Sequence, residues 1–143
     1  MSTADETRAA EDAIRRAIEA RREIEFALLF GSRAADAARP DSDWDVAIHC
    51  ASDVSASARA ALREDLVAAL APAVPVDVVV LNDAPPLLAH RALEGRTLLV
   101  RDRRSYVRFF VRTLAMAGDE AYYRDLHARA RARRLAEGRF GRP

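Results

Sequence analysis

The segment Leu28–His49, LLFGSRAADAARPDSDWDVAIH, gathers the residue types in this chain that could do chemistry. An apolar run, Phe26–Phe30, leads straight into Gly31-Ser32. Because Gly31 lacks a side chain, backbone amides and the Ser32 hydroxyl can approach an anion closely there. Asp43 and Asp45 stand two apart where the next apolar stretch begins. On a strand, a period of two sends both carboxylates to one face of the sheet. A third acid, Asp77, interrupts the apolar run PVDVVVLN.

A carboxylate removed from water is unfavourable by several kcal/mol unless it is paired or bound to a cation. Three acids converging on one place repel one another, and a divalent metal removes that penalty. Hard carboxylate oxygens suit Mg²⁺. Two such ions about 3.5–4 Å apart form a recurring device for in-line displacement at phosphorus. Singly, each motif has a plain reading: a Gly-Ser turn, an Asp-x-Asp that caps a turn, an acid on an edge strand. Together, and in this order on strand ends, they point to phosphoryl or nucleotidyl transfer.

The elements that must position these residues follow from periodicity. Ala4–Arg22 reads as an amphipathic helix with Ala10, Ile14 and Ile18 on one stripe. Phe26–Phe30 and Asp45–Cys50 read as strands. Ser55–Ala71 is a helix with Leu62, Leu66 and Leu70 in one row, ended by Pro72. The β-branched run Val76–Leu81 predicts a third strand, central in the sheet. Leu87–Leu93 is a short helix between Pro85-Pro86 and Gly95, Thr97–Val100 a fourth strand, and the chain from Arg103 is helical. This order predicts an α/β (α+β) fold, a small mixed β-sheet with flanking helices.

The 143 residues suit one domain, taken as 1–143 with its core at about residues 24–115 and a basic helical C-terminal segment over 103–143. Cys50, the single cysteine, excludes a disulfide framework and a multi-cysteine zinc site. No apolar run approaches the roughly 20 residues that span a bilayer, so no membrane partner is expected. The acidic, alanine-rich N-terminus lacks a signal-peptide pattern, which makes the cytoplasm the expected compartment. Charge is polarised: residues 1–100 hold 11 Arg against 17 Asp and Glu, a net of −6, while residues 101–143 hold 12 against 5, a net of +7. All basic residues are Arg, as a GC-rich genome also produces, but codon bias does not sort signs along a chain. The run RDLHARARARRLAEGRFGRP is therefore either a solvated helix end or a surface for an acidic partner.

His49, His90 and His127 share no metal-ligand spacing, and Cys50 reads as a small core residue. Trp44, between the two acids, points to the opposite face as packing. Tyr106, Tyr122 and Tyr123 read as core or interface residues of the C-terminal helix.

The motif residues resemble the nucleotidyltransferase superfamily of DNA polymerase β type, whose signature is Gly-Ser, then Asp-x-Asp about ten residues on, then a third Asp on a later strand. Gly31, Ser32, Asp43, Asp45 and Asp77 match it position by position. The phrase RPDSDWD and the later VDVVVLNDAPPLLAHRALEGRTLLVRD are similar to the minimal nucleotidyltransferases (MNT), which in bacteria are commonly antitoxins encoded beside HEPN-domain toxins. The resemblance covers roughly residues 24–115 and implies the nucleotidyltransferase fold. It departs at Asp36, where the family has Gly. Asp tolerates a left-handed turn, but an inward carboxylate there would oppose phosphate binding.

The resemblance implies that Asp43 and Asp45 ligate two Mg²⁺ ions, and that Asp77 completes the second site and helps deprotonate the attacking hydroxyl. It assigns Gly31 and Ser32 to the β- and γ-phosphates of ATP, with Arg33 either assisting or facing outward. The implied enzyme is a Mg-dependent protein adenylyltransferase that moves AMP from ATP to a tyrosine of a HEPN ribonuclease toxin. The chain ends soon after the catalytic sheet, leaving little material for an acceptor pocket, so a partner that brings its own hydroxyl is expected. The alternatives are an antitoxin that neutralises by binding alone and a small-molecule transferase of the aminoglycoside type. A direct nucleic-acid partner is not expected, because three aligned acids repel a phosphate backbone.

Overall fold

The computed structural model describes residues 2–35 and 42–136; Asp36 and the last seven residues lie outside the described residues, as do the side chains of Tyr122 and Tyr123. The element order is α1 (Thr3–Glu19), β1 (Ile24–Phe30), β2 (Trp44–Cys50), α2 (Ala56–Leu70), β3 (Val76–Val80), α3 (Pro86–Leu93), β4 (Arg96–Val100) and α4 (Arg103–Ala136), with a short 3₁₀ turn over Leu81–Asp83. Ser2 and Ser55 cap α1 and α2, each hydroxyl accepting from the backbone N–H three residues on.

The four strands form one mixed sheet in the order β3-β2-β1-β4. β1 runs antiparallel to β2 and β4, and β2 runs parallel to β3 across the α2 crossover. The expected fold class is the observed one. One placement differs: Val76–Val80 is an edge strand, not a central one. Its Val76 and Val78 are buried, Val79 and Val80 are half-buried against the two cores, and Asp77 alone is exposed, so both faces are apolar although the strand lies at the edge. Arg63 of α2 donates Nε–H to the Val78 carbonyl at 2.9 Å, giving the edge backbone a partner from outside the sheet.

Alternation along β2 divides two cores. Trp44, Val46, Ile48 and Cys50 join Ile14 and Ile18 of α1 and Leu66 and Leu70 of α2 on one face. On the other face Phe26, Leu28, Phe30 and Ala47 pack against Ala89, Ala92 and Leu93 of α3 and Phe109 of α4. Asp45 shares the parity of Ala47, so it stands on the α3–α4 face, at the end of the sheet where β1 finishes. Asn82 locks the turn after β3 to the far end of β2: its Oδ1 accepts from the Cys50 N–H and its Nδ2 donates to the Cys50 carbonyl, both at 2.9 Å.

Candidate active site

The site begins where β1 stops. Asp45 pairs in register with Phe30 of β1 on one side and with Asp77 of β3 on the other. Adjacent strands lie about 4.8 Å apart, so the two carboxylates rise from neighbouring positions of one face. Gly31 has φ +73°, a left-handed conformation that side chains disfavour. A Cβ at position 31 would also overlap Asp45 Oδ2 and lie 3.1 Å from its Cγ. Glycine is thus required twice, by the turn and by the carboxylate resting on it. Ser32 follows, half-buried, and Ala35 closes the turn by donating its N–H to the Gly31 carbonyl at 3.3 Å.

Electrostatics tie Asp43 to the same place. Burial pushes the half-buried Asp45 carboxyl above its usual range, Asp77 pushes it further, Arg91 of α3 pulls it back, and Asp43 pushes it up again. The structure therefore brings Asp43, Asp45, Asp77 and Gly31 into one neighbourhood, with Asp43 and Asp77 exposed. These acids offer only hard oxygens and carry an excess of negative charge, a donor set whose chemistry fits Mg²⁺. Among the described residues, no group of three His, Cys, Asp or Glu is drawn together closely enough to hold a metal ion as placed.

Arg33 stands apart from this cluster. Its Nε and Nη2 donate to the Ser42 carbonyl at 3.3 and 2.8 Å, and its guanidinium lies 4.7 Å over the Trp44 ring. Trp44 belongs to the α1–α2 face, so Arg33 fastens the start of β2 from the side opposite Asp45.

Two residues without a motif complete the surroundings. Gly95 joins α3 to β4 pressed against β1: a Cβ there would overlap the Leu29 carbonyl oxygen and lie 2.9 Å from Phe30 Cα. That contact holds the end of α3 beside the Gly31 turn. Between them opens a cleft of about 340 Å³ whose lining includes Gly31, Ala35, Arg91, Glu94 and Arg96. Nothing in the sequence singles out Arg91 among 23 arginines; its position became meaningful only through the packing of Gly95.

The remaining sequence candidates fall elsewhere. Cys50 is fully buried, and burial raises its thiol to about 11, which makes it inert core. His90 faces Glu94 on α3, with Nδ1 3.4 Å from Oε1. Tyr106 packs edge-on against Phe26, ring centroids 5.1 Å apart. His49 is stacked on Phe26 at 4.7 Å and has Glu25 Oε2 3.7 Å from its Nδ1; both atoms are buried without a hydrogen bond. The register shift between Ile24 and Phe26 sets Glu25 beside His49.

Among the described residues no helix is long and apolar enough to cross a membrane. No curated protein matches the chain. Among solved structures, the chain is similar to one of a toxin-antitoxin with AMP-PNP, at 24% identity and TM-score 0.67 over 84% of this chain and 96% of that one. It is also similar to the toxin-antitoxin MntA-HepT, at 22% identity and TM-score 0.62 over 86% and 97%. A third likeness is to a tri-AMPylated Shewanella oneidensis HEPN toxin in complex with MNT antitoxin, at 23% identity and TM-score 0.63 over 87% and 97%. These likenesses bear on the fold. The family described as "Polymerase beta, Nucleotidyltransferase" matches residues 12–104, a span that contains the Gly31 turn and all three acids, and the chain belongs to that family.

Proposed function

We propose that this nucleotidyltransferase is an antitoxin that transfers AMP from ATP to a tyrosine hydroxyl of a cognate HEPN ribonuclease toxin and so silences it. The observation that carries the reading is the seat of Asp45 against Gly31 with Asp77 beside it in register. That arrangement sets an anion-accepting turn against paired acids on one end of a sheet, in a chain whose fold is shared with a structure of an AMPylated HEPN toxin and its MNT antitoxin. Residues 1–143 act as one minimal catalytic domain, and ATP supply and a ribonuclease partner make the cytoplasm its place of work.

In this reading Asp43 and Asp45 would hold two Mg²⁺ ions, with Asp77 completing the second site, and the bound ions would offset charge at the α-phosphate. The Gly31 amide and the Ser32 hydroxyl bind the β- and γ-phosphates. Arg33, fixed to Ser42 and Trp44, keeps the entry of β2 in place so that Asp43 and Asp45 face the nucleotide. Asp77 accepts the proton of the tyrosine hydroxyl. The tyrosine oxygen then bonds to the α-phosphorus, and the oxygen bridging to the β-phosphorus leaves with the bonding pair as pyrophosphate.

Incubation with ATP, Mg²⁺ and a candidate HEPN toxin tests the proposal by mass spectrometry of the partner. The expected result is AMP on a partner tyrosine, with ribonuclease activity still absent after the two proteins are separated. A partner inhibited only while bound, with no change in mass, would instead establish neutralisation by binding alone. AMP appearing on an aminoglycoside and not on the partner would establish a small-molecule transferase.

A further inference from the structure

Among the described residues, three guanidinium groups lie near the phosphate turn, and two of them are engaged by protein. Arg33 is committed to Ser42 and Trp44 on the opposite face. Arg96 is paired with Glu11 of α1. Arg91 differs: its side chain is exposed, and no described residue holds it by a hydrogen bond or ion pair. It lines the cleft of about 340 Å³ whose other wall is the Gly31 turn. Its helix is clamped to the end of β1 through Gly95, so its place relative to Gly31 is set by backbone packing.

A planar guanidinium with forked donors matches phosphate oxygens in a way a point charge does not. Fully engaged arginines have few donors left for a ligand, whereas Arg91 has all of its own. We propose that Arg91 grips the outer phosphates of the bound nucleoside triphosphate from the side of the cleft opposite Gly31-Ser32. This rests on reading the site as a nucleotidyl-transfer centre. As the acceptor oxygen bonds to the α-phosphorus and Asp77 takes its proton, the bridging oxygen keeps the electron pair of the breaking bond. The added negative charge falls on pyrophosphate, which Arg91 faces. The residue thus acts on both the donor nucleotide and its leaving group.

The test is equilibrium binding to the full chain with Mg²⁺ and no acceptor protein, comparing wild type with Arg91→Ala and Arg91→Lys. A fluorescent ATP analogue reports the site, competed by ATP, AMP or inorganic tripolyphosphate. Loss of a charge-assisted contact should weaken ATP and tripolyphosphate roughly ten- to a hundredfold in Arg91→Ala. AMP, which lacks outer phosphates, should compete as in wild type, and Arg91→Lys should recover part of the loss. The melting temperature should not move, because the side chain is exposed and unpaired. Equal ATP affinity in wild type and Arg91→Ala overturns the inference alone, as does a parallel loss for ATP and AMP. A wild-type chain that binds no ATP overturns the reading of the site and the inference with it.

Discussion

The Asp45 carboxylate occupies the space in which a side chain on Gly31 would begin, with Cγ 3.1 Å and Cβ 3.3 Å from that point. Turn and acid are therefore a single structural unit. Gly31→Ala must both displace the carboxylate and hold a left-handed backbone, the latter alone unfavourable by about 1–2 kcal/mol. We expect Gly31→Ala to lose AMP transfer and to unfold at lower urea concentration. Gly118→Ala is the contrasting case, since a Cβ in that stretch of α4 meets nothing within 4 Å. It should raise stability by roughly 0.5–1 kcal/mol, the difference in helix propensity. A Gly31→Ala variant with wild-type transfer would separate the turn from the chemistry.

Asp45 is held among like charges, and this has opposite consequences for stability and function. Replacing Asp43 and Asp45 together with Asn should abolish transfer of labelled AMP. It should also raise the melting temperature in metal-free buffer, because a partly desolvated carboxylate beside Asp77 is removed. Added Mg²⁺ should raise the melting temperature of the wild type and leave the double variant unmoved. Transfer that persists in the double variant refutes the role of the two acids.

The candidate site is readable in the sequence because its parts are local: Gly31, Ser32, Asp43 and Asp45 lie within one strand-turn-strand stretch, and period-two alternation assigns the faces of Asp43 and Asp45. Placing Asp77 required the register Asp45↔Asp77, which a parallel crossover sets and no local pattern states. The β-branched run around Asp77 suggested a central strand because helices cover both of its faces, Val76 and Val78 on one and Val79 on the other, while no strand among the described residues lies beside its outer edge. Arg91 was invisible for a related reason: its meaning depends on the contact of Gly95 with Leu29 and Phe30, more than sixty residues away along the chain.

His49 gives the fold a dependence on pH. Burial lowers its imidazole below the ordinary 6.5, partly countered by Glu25, with Arg112 and Arg59 lowering it further. A base whose folded value is depressed favours the unfolded chain as it gains a proton. Stability should thus be full above about pH 6.5 and fall as pH drops from there toward the folded value. Urea unfolding from pH 8 to 5 should show this slope in the wild type and a flatter one in His49→Gln. Parallel slopes in the two proteins would mean that His49 titrates alike folded and unfolded.

The arginine-rich end of α4 concerns the partner more than the reaction. Arg129, Arg131, Arg133 and Arg134 are exposed on its last turns. With the rest of residues 101–143 they give that segment a net of +7 against −6 for residues 1–100. Such a dipolar chain should be steered toward a negatively charged partner surface, which raises the association rate more than the final affinity. Steering is screened by salt, as the Debye length falls from about 30 Å at 0.01 M to about 10 Å at 0.1 M ionic strength. Deleting residues 128–143 removes six arginines and one acid. Surface plasmon resonance should then show slower association with the HEPN partner and a flatter dependence on salt, with dissociation little changed. Transfer of AMP should return when partner concentration is raised, because the acids and the phosphate turn lie within residues 31–77. An unchanged association rate and salt slope would make the tail a solvated helix end with no part in partner capture.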